Sequence, residues 1–256
     1  VKSVRVTSLG SGSKGNATVV EYGHTRLLID SGFSCKALQA RLAQRDLTPS
    51  DITAILVTHE HSDHFNGVPT FANRFQTPVW MTHGTSLHHR AEKLKTFNIL
   101  NGHEPFAIGD IQVNPVLVPH DSREACQFTL KAGDHKIGIL TDLGHITPFV
   151  SGQYQDCAIL LLEFNHDVQM LREGRYPASL KARVGGSLGH LSNDQAKEFL
   201  QVGEHRKLQH LAAMHLSEEN NCSKRVQRSI EEAKLADQVN VLIAHQDDGF
   251  DWISIE

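Results

Sequence analysis

The sequence predicts an α/β protein in which two β-rich halves, each flanked by helices, pack as a four-layer αββα sandwich. Two observations carry that expectation. Short β-branched and apolar runs give way to stretches of helical period, and a second β-rich block begins near Phe106 after the first has passed into helices. Several of the strand runs also end abruptly in histidine and aspartate, as in Ile52-Thr53-Ala54-Ile55-Leu56-Val57-Thr58-His59-Glu60-His61-Ser62-Asp63-His64. The chain must turn past the end of a strand, so these polar residues converge along one edge of the sandwich.

Taken in order, residues 3–9, 17–22 and 25–30 alternate as half-buried strands. Gly10-Ser11-Gly12-Ser13-Lys14-Gly15-Asn16 joins the first two; it suits a hairpin turn or an anion cradle, without the spacing of a P-loop. Residues 35–45 read as a helix, and the strand that opens at Ile52 follows Pro49. A helix over 65–75 begins directly after His64, then come a strand at 78–81 and a helix near 85–96. His83, His88 and His89 have no matching partner set and read as surface or packing residues. In the second half, 111–119 is a strand ending in His120, and 125–132 pairs with 136–141 across Gly133-Asp134 and ends at Asp142. The apolar run 158–162 leads into Glu163, a polar helical segment spans 166–184, and a helix spans 193–203. Strand 208–214 ends in His215, a helix covers 222–235, and strands at 239–244 and 251–255 close the chain.

The 256 residues are 39% hydrophobic and 21% charged, a composition that supports a sizeable core in a soluble protein. No apolar run is long enough to span a bilayer, and the first residues lack the apolar core of a signal peptide. Cys35, Cys126, Cys157 and Cys222 form no Cys-x-x-Cys pair, which points to a reducing cytoplasm. A formal net charge of −4 excludes a generally basic nucleic-acid binder; a polyanionic substrate needs a local basic patch or bound metal.

Neutral imidazoles and carboxylates are ligands for zinc, manganese or iron. The pattern His59-Glu60-His61-Ser62-Asp63-His64 after an apolar strand resembles the signature of the metallo-β-lactamase superfamily. That resemblance implies its fold over 1–256 as one hydrolase domain, and two divalent metal ions. It assigns His59, His61 and His120 to the first metal, Asp63, His64 and His215 to the second, and Asp142 as the bridge. It also places Asp30 beneath the metals, orienting their ligands. Two metals sharing a water supply a bridging hydroxide nucleophile and neutralise charge in the transition state.

The substrate expectation turns on the second half. An Asp at position 142, where the superfamily's β-lactamases usually carry Cys, argues against an antibiotic hydrolase, and His61 stands where flavodiiron sites want Glu. Glyoxalase-type thioester hydrolases share the ligands but lack Glu163, Gly189-His190-Leu191-Ser192 and His215-Leu216-Ser217. That series resembles the ribonuclease Z branch, which implies that Glu163 and His190 deliver a proton to the leaving oxygen of a phosphodiester. Ser11-Gly12-Ser13-Lys14-Gly15-Asn16, Glu163-Phe164-Asn165-His166-Asp167, Tyr176-Pro177-x-x-Leu180-Lys181-x-Arg183 and His215-Leu216-Ser217-x-x-Asn220-Asn221 closely resemble the bacterial YycJ/WalJ family. The resemblance implies a 5′→3′ exodeoxyribonuclease on duplex DNA, linked to mismatch repair and often using manganese. Catalytic roles fall to Asp63, Glu163 and His190, and substrate binding to Ser13, Asn16, Arg175, Lys181, Arg183, Asn220 and Asn221. With Arg172, the cations of 172–183 are expected to meet phosphates, and Tyr176 to offer a stacking face. Spacing alone supports only a two-metal phosphodiesterase. A hydrolase of a cyclic phosphodiester, thioester or lactone, an RNA-processing nuclease and a metal-bound scaffold remain the alternative readings.

Overall fold

A computed structural model describes residues 2–256. Strands β1 (Val4–Gly10), β2 (Ala17–Tyr22), β3 (Thr25–Ile29), β4 (Ala54–Leu56), β5 (Val79–Thr82) and β6 (Asn98–Leu100) come from the first half, with β7 (Phe106–Ile108), β8 (Ile111–Leu117), β9 (Cys126–Ala132), β10 (His135–Leu140), β11 (Ile159–Glu163), β12 (His210–Met214), β13 (Asn240–Ile243) and β14 (Phe250–Ile255) following. They form two seven-stranded sheets, ordered β14-β1-β2-β3-β4-β5-β6 and β13-β12-β11-β10-β9-β8-β7. Each sheet is antiparallel in one half and parallel in the other: β3 to β6 run parallel, as do β10 to β13.

The alternation of side chains sorts the core into layers. Leu27 and Ile29 point between the sheets and Leu28 points outward, against the helices Cys35–Ala43 and Val68–Phe75. In the second sheet Ile159 and Leu161 face the first, while Leu160 and Leu162 pack under the helices Asn193–Val202 and Ser223–Ala233. These strands are apolar on both faces because both faces are covered. Each such Leu or Ile, fully removed from water, contributes about 1.5–3 kcal/mol. The outcome is the four-layer αββα sandwich that the sequence predicts. Among the described residues no helix is long and apolar enough to cross a membrane.

Three local expectations are corrected. The helix expected over 65–75 is two pieces, Ser62–Phe65 and Val68–Phe75, broken at Gly67. A Cβ there would stand 1.9 Å from Phe33 O, so the chain must turn where backbones meet. The helix expected near 85–96 is a four-residue helix, His83–Ser86, and a 3-10 turn, Ala91–Lys93, followed by β6, which the sequence reading did not place. Ala91 and Leu94 are buried at helical spacing but Leu87 is 57% exposed, so no continuous apolar stripe forms. The segment 166–184 divides into Val168–Glu173 and Ala178–Val184, because Pro177 cannot continue a helix and instead precedes the second as its N-cap.

Candidate metal centre and cleft

The carboxyl ends of the parallel strands meet at one edge of the sandwich, and the polar residues that end them meet there too. Asp30 follows β3, His59 lies three residues beyond β4, Asp142 follows β10, Glu163 ends β11 and His215 follows β12. His120 arrives from β8, and His61, Asp63 and His64 from the turn and short helix after β4. The structure gathers these donors in overlapping sets: His59 with His61 and His120; Asp63 with His64 and His215; and His59 with His64 and Asp142. Within each set the ligand atoms lie within 4.8 Å of one another.

Each imidazole is held from behind, which fixes which nitrogen faces the centre. His59 Nδ1 lies 2.9 Å from Thr58 Oγ1, His120 Nδ1 lies 3.0 Å from Gly189 O, and His61 Nε2 lies 3.2 Å from Asp121 O. In the other set His64 Nδ1 lies 2.7 Å from Asp30 Oδ2, and His215 Nδ1 lies 3.0 Å from Asp142 Oδ1 and 3.1 Å from Glu163 Oε1. Asp30, at φ 62°, also accepts from Thr58 N and Thr58 Oγ1, so one carboxylate braces both histidine sets from below. Ser11 Oγ accepts from His215 N, which fixes that residue in the left-handed region at φ 56°.

Burial and the neighbouring imidazoles hold His59 well below the usual histidine range, and burial lowers His120. Burial alone would lower His64 and His215 as well, but the carboxylates around them, Asp142 first, raise both well above it. Burial would raise Asp63, yet His64 and His215 keep its carboxyl well below the usual carboxylate range. A buried site that balances three carboxylates only by charging imidazoles is suited to a divalent cation instead. Two orphaned atoms agree: His59 Nε2 and Asp142 Oδ2 are buried without a hydrogen bond, and Asp142 Oδ2 lies 3.3 Å from His64 Nε2. The donor set fits two such ions, one in each histidine set, with Asp142 between them.

Glu163 and His190 sit beside this cluster. His190 Nδ1 lies 2.8 Å from Glu163 Oε1, and Glu163 Oε2 accepts from Leu143 N and Leu191 N. Both Glu163 oxygens are thus engaged, which leaves this fully buried carboxylate to orient imidazoles rather than to bind metal. Gly189 permits the approach, since a Cβ there would stand 2.2 Å from Arg183 O and Val184 O. His190 lines a cleft of about 390 Å³ together with Ser13, His61, Asp63, Tyr176 and Arg183.

The residues expected to bind substrate divide sharply. Ser13 and Arg183 line the cleft, and Arg183 Nε is bonded to Asp121 Oδ2 across it. Asn16, Asn220 and Asn221 are buried and, against that expectation, are not among the residues lining the cleft. Asn16 ties Gly12 to the Asp63 backbone and touches His64 Nε2 at 3.1 Å. Asn221 Nδ2 donates to Phe164 O and Asn165 O, and Asn220 O accepts from Asp167 N, so both stitch the 163–167 turn to the His215 loop, while Asn220 Nδ2 bonds Ser217 Oγ within that loop. Arg175 pairs with Glu219 at 3.2 Å, Arg172 with Glu173 at 3.6 Å, and Lys181 donates to Arg172 O. Two of the four cations expected to meet phosphates therefore face carboxylates away from the cleft, and Lys181 is tied to backbone. Asp121 and Thr58 brace the imidazoles and were not singled out from sequence; their signal was adjacency to His120 and His59.

Comparisons with known proteins agree with this geometry. The β-lactamase superfamily domain matches residues 25–215. The chain is similar to exodeoxyribonuclease YycJ of Bacillus anthracis, 33% identical over 226 residues that cover 87% of this chain and 86% of that one. It is also similar to exodeoxyribonuclease WalJ of Streptococcus pneumoniae, 34% identical over 221 residues, 83% and 81% of the two chains. Among solved structures, the metallo-β-lactamase fold protein YhfI from Bacillus subtilis superposes with a TM-score of 0.75 at 16% identity, covering all of both chains. Human tRNase Z, short form, gives 0.67 at 17% identity, covering 98% of this chain and 99% of that one. At such identities the two structures speak for the fold alone.

Proposed function

The chain belongs to the metallo-β-lactamase superfamily and, within it, to the YycJ/WalJ family of hydrolases, and from that premise we propose that it is a two-metal exodeoxyribonuclease that degrades duplex DNA in the 5′→3′ direction. The observation that carries a phosphodiesterase reading is the Glu163–His190 pair, 2.8 Å apart on the wall of a cleft whose floor is the histidine–aspartate cluster. A thioester leaves as a stable thiolate, whereas a nucleotide leaves as a basic alkoxide that needs a proton. A leaving-group acid is therefore expected for nucleic acid and redundant for the thioester. The YycJ and WalJ names carry the choice of DNA.

His59, His61 and His120 on one side, Asp63, His64 and His215 on the other and Asp142 between them would hold two divalent ions, which would supply an acidified water and a clamp on phosphoryl charge. The remaining work falls to side chains. Asp63, kept ionised, accepts a hydrogen bond from the attacking water and aims it at phosphorus. Glu163 Oε1 receives Nδ1–H of His190, which fixes the ring so that its other nitrogen faces the cleft. As the P–O bond to the departing sugar breaks, that nitrogen gives its proton to the leaving oxygen, and Glu163 stabilises the imidazolium that must form beforehand. Ser13 and Arg183 lie where substrate phosphate enters.

The test uses linear duplex DNA, labelled at either end, with Mn²⁺ or Zn²⁺. A 5′ label should leave early as mononucleotides or short oligonucleotides while a 3′ label stays on long fragments. Early loss of the 3′ label would reverse the polarity. Cleavage of bis-(p-nitrophenyl) phosphate with intact DNA would replace this reading by a small-diester hydrolase.

A further inference from the structure

Arg183 is already latched to Asp121, and the other cations of 172–183 are engaged outside the cleft. On the loop that follows His120 the balance is different. Arg123 lies three residues after His120, and its backbone N–H donates to Glu60 Oε1 at 2.8 Å, so it is fixed to the residue between His59 and His61. The segment from His83 is stitched to the same loop: Gly84 N donates to Glu124 Oε2 at 2.6 Å, and Thr82 Oγ1 to Glu124 O at 2.8 Å. That segment carries Arg90, the paired rings of His88 and His89 with centroids 4.2 Å apart, and Leu87, 57% exposed at its tip. Among the described residues neither Arg90 nor Arg123 has a carboxylate within ion-pair distance, and neither side chain donates a hydrogen bond. Burial and His89 lower His88, Glu60 opposes them, and Arg90 and Arg123 add to the lowering, which places these charges around one imidazole.

We propose that the rim formed by Leu87–Arg90 and Arg123 is the surface that receives the nucleic-acid strand beside the metal cluster, with Arg90 and Arg123 on phosphates and Leu87 against a base face. Two unpaired guanidiniums cost nothing to release from internal partners, whereas Arg175 must first leave Glu219. An apolar side chain beside a pair of imidazoles offers a flat, partly hydrophobic platform, the kind of surface that unstacked bases occupy. The backbone ties to Glu60 and Glu124 hold the rim in fixed register with His59 and His61, so a strand lying on it has its scissile phosphate brought to the cluster rather than past it. This inference rests on the nuclease reading and names the binding surface that reading requires.

The experiment measures binding of fluorescein-labelled, 5′-phosphorylated duplex DNA by anisotropy, in an Asp63→Asn background so that substrate is not consumed. Adding Arg90→Glu and Arg123→Glu should weaken Kd at least about tenfold at 0.1 M salt and reduce the slope of log Kd against log salt by about two. Arg90→Lys with Arg123→Lys should restore most of both. Leu87→Ser should weaken binding with the slope unchanged. In otherwise wild-type protein, hydrolysis of bis-(p-nitrophenyl) phosphate by the Arg90→Glu, Arg123→Glu variant should stay within about twofold, which shows an intact cluster. Normal Kd and slope in the charge-reversed protein overturn this inference alone. Failure of the parent to bind any nucleic acid overturns the nuclease reading and this inference with it.

Discussion

The two halves of the metal centre are built on different principles. His59, His61 and His120 are held by neutral oxygens: Thr58 Oγ1, Asp121 O and Gly189 O. His64 and His215 are held by carboxylates, Asp30 in one case and Asp142 with Glu163 in the other. Burial and neighbouring charges accordingly hold His59 down, while the carboxylates raise His64 and His215. A carboxylate behind an imidazole raises its basicity and tightens the ion in front of it. The half held by neutral oxygens also contains His61, whose side chain is 27% exposed at the cleft, whereas His64 is 1% exposed. The other half opens to the cleft through Asp63, 20% exposed, so the halves differ in how firmly each would hold an ion rather than in access to substrate.

The largest expected effect comes from the half braced by carboxylates. Asp63→Ala should lower turnover by at least about 10³-fold while the sandwich stays folded, because Asp63 lies in a short helix at the strand ends and no core layer depends on it. Retained turnover at unchanged metal content would remove Asp63 from the mechanism. His190→Ala should cost about 10²–10⁴-fold on DNA and little on p-nitrophenyl esters, whose leaving group needs no proton. Equal losses on both would make His190 a positioning residue. Asp30→Asn should then weaken metal affinity about 10–100-fold in the His64 half, which Asp30 touches directly, and less in the His59 half, which it reaches through Thr58. Chelator competition should therefore show one ion lost early and the other retained; loss of both together would mean that the two halves are not separately braced.

A smaller effect lies behind the Glu163–His190 pair. Burial holds His166 down to about 4, from an ordinary histidine value of 6.5, so its neutral ring is part of the folded state. Between those values the unfolded chain binds a proton that the folded chain refuses, so stability is complete above about pH 6.5 and is lost as pH falls towards 4. The loss attributable to this residue is on the order of 3 kcal/mol. Urea melts of wild type and His166→Gln should converge across that window, and parallel curves would show that His166 does not titrate there.

How much of this was legible in the sequence follows from the range of the interactions. Leu27-Leu28-Ile29 and Ile159-Leu160-Leu161-Leu162 are apolar without a break, so strands buried on both faces between helical layers were readable locally. The ligands were readable because they end strands at fixed spacing. Contacts between distant segments were not. Nothing local says that Arg175 meets Glu219, that Arg183 meets Asp121, or that Asn16 and Asn221 spend their amides on backbone rather than on substrate. The apolar spacing of Leu87, Ala91 and Leu94 favoured a helix because sequence alone does not reveal that Leu87 faces outward.

The account stands or falls on two ions in unequal halves. Calorimetric titration of metal-free protein with Mn²⁺ or Zn²⁺, with elemental analysis of the loaded protein, tests it directly. The expected result is two ions per chain, entering in separate steps, with Asp30→Asn weakening one step more than the other. A plateau near one ion per chain under saturating metal would contradict it.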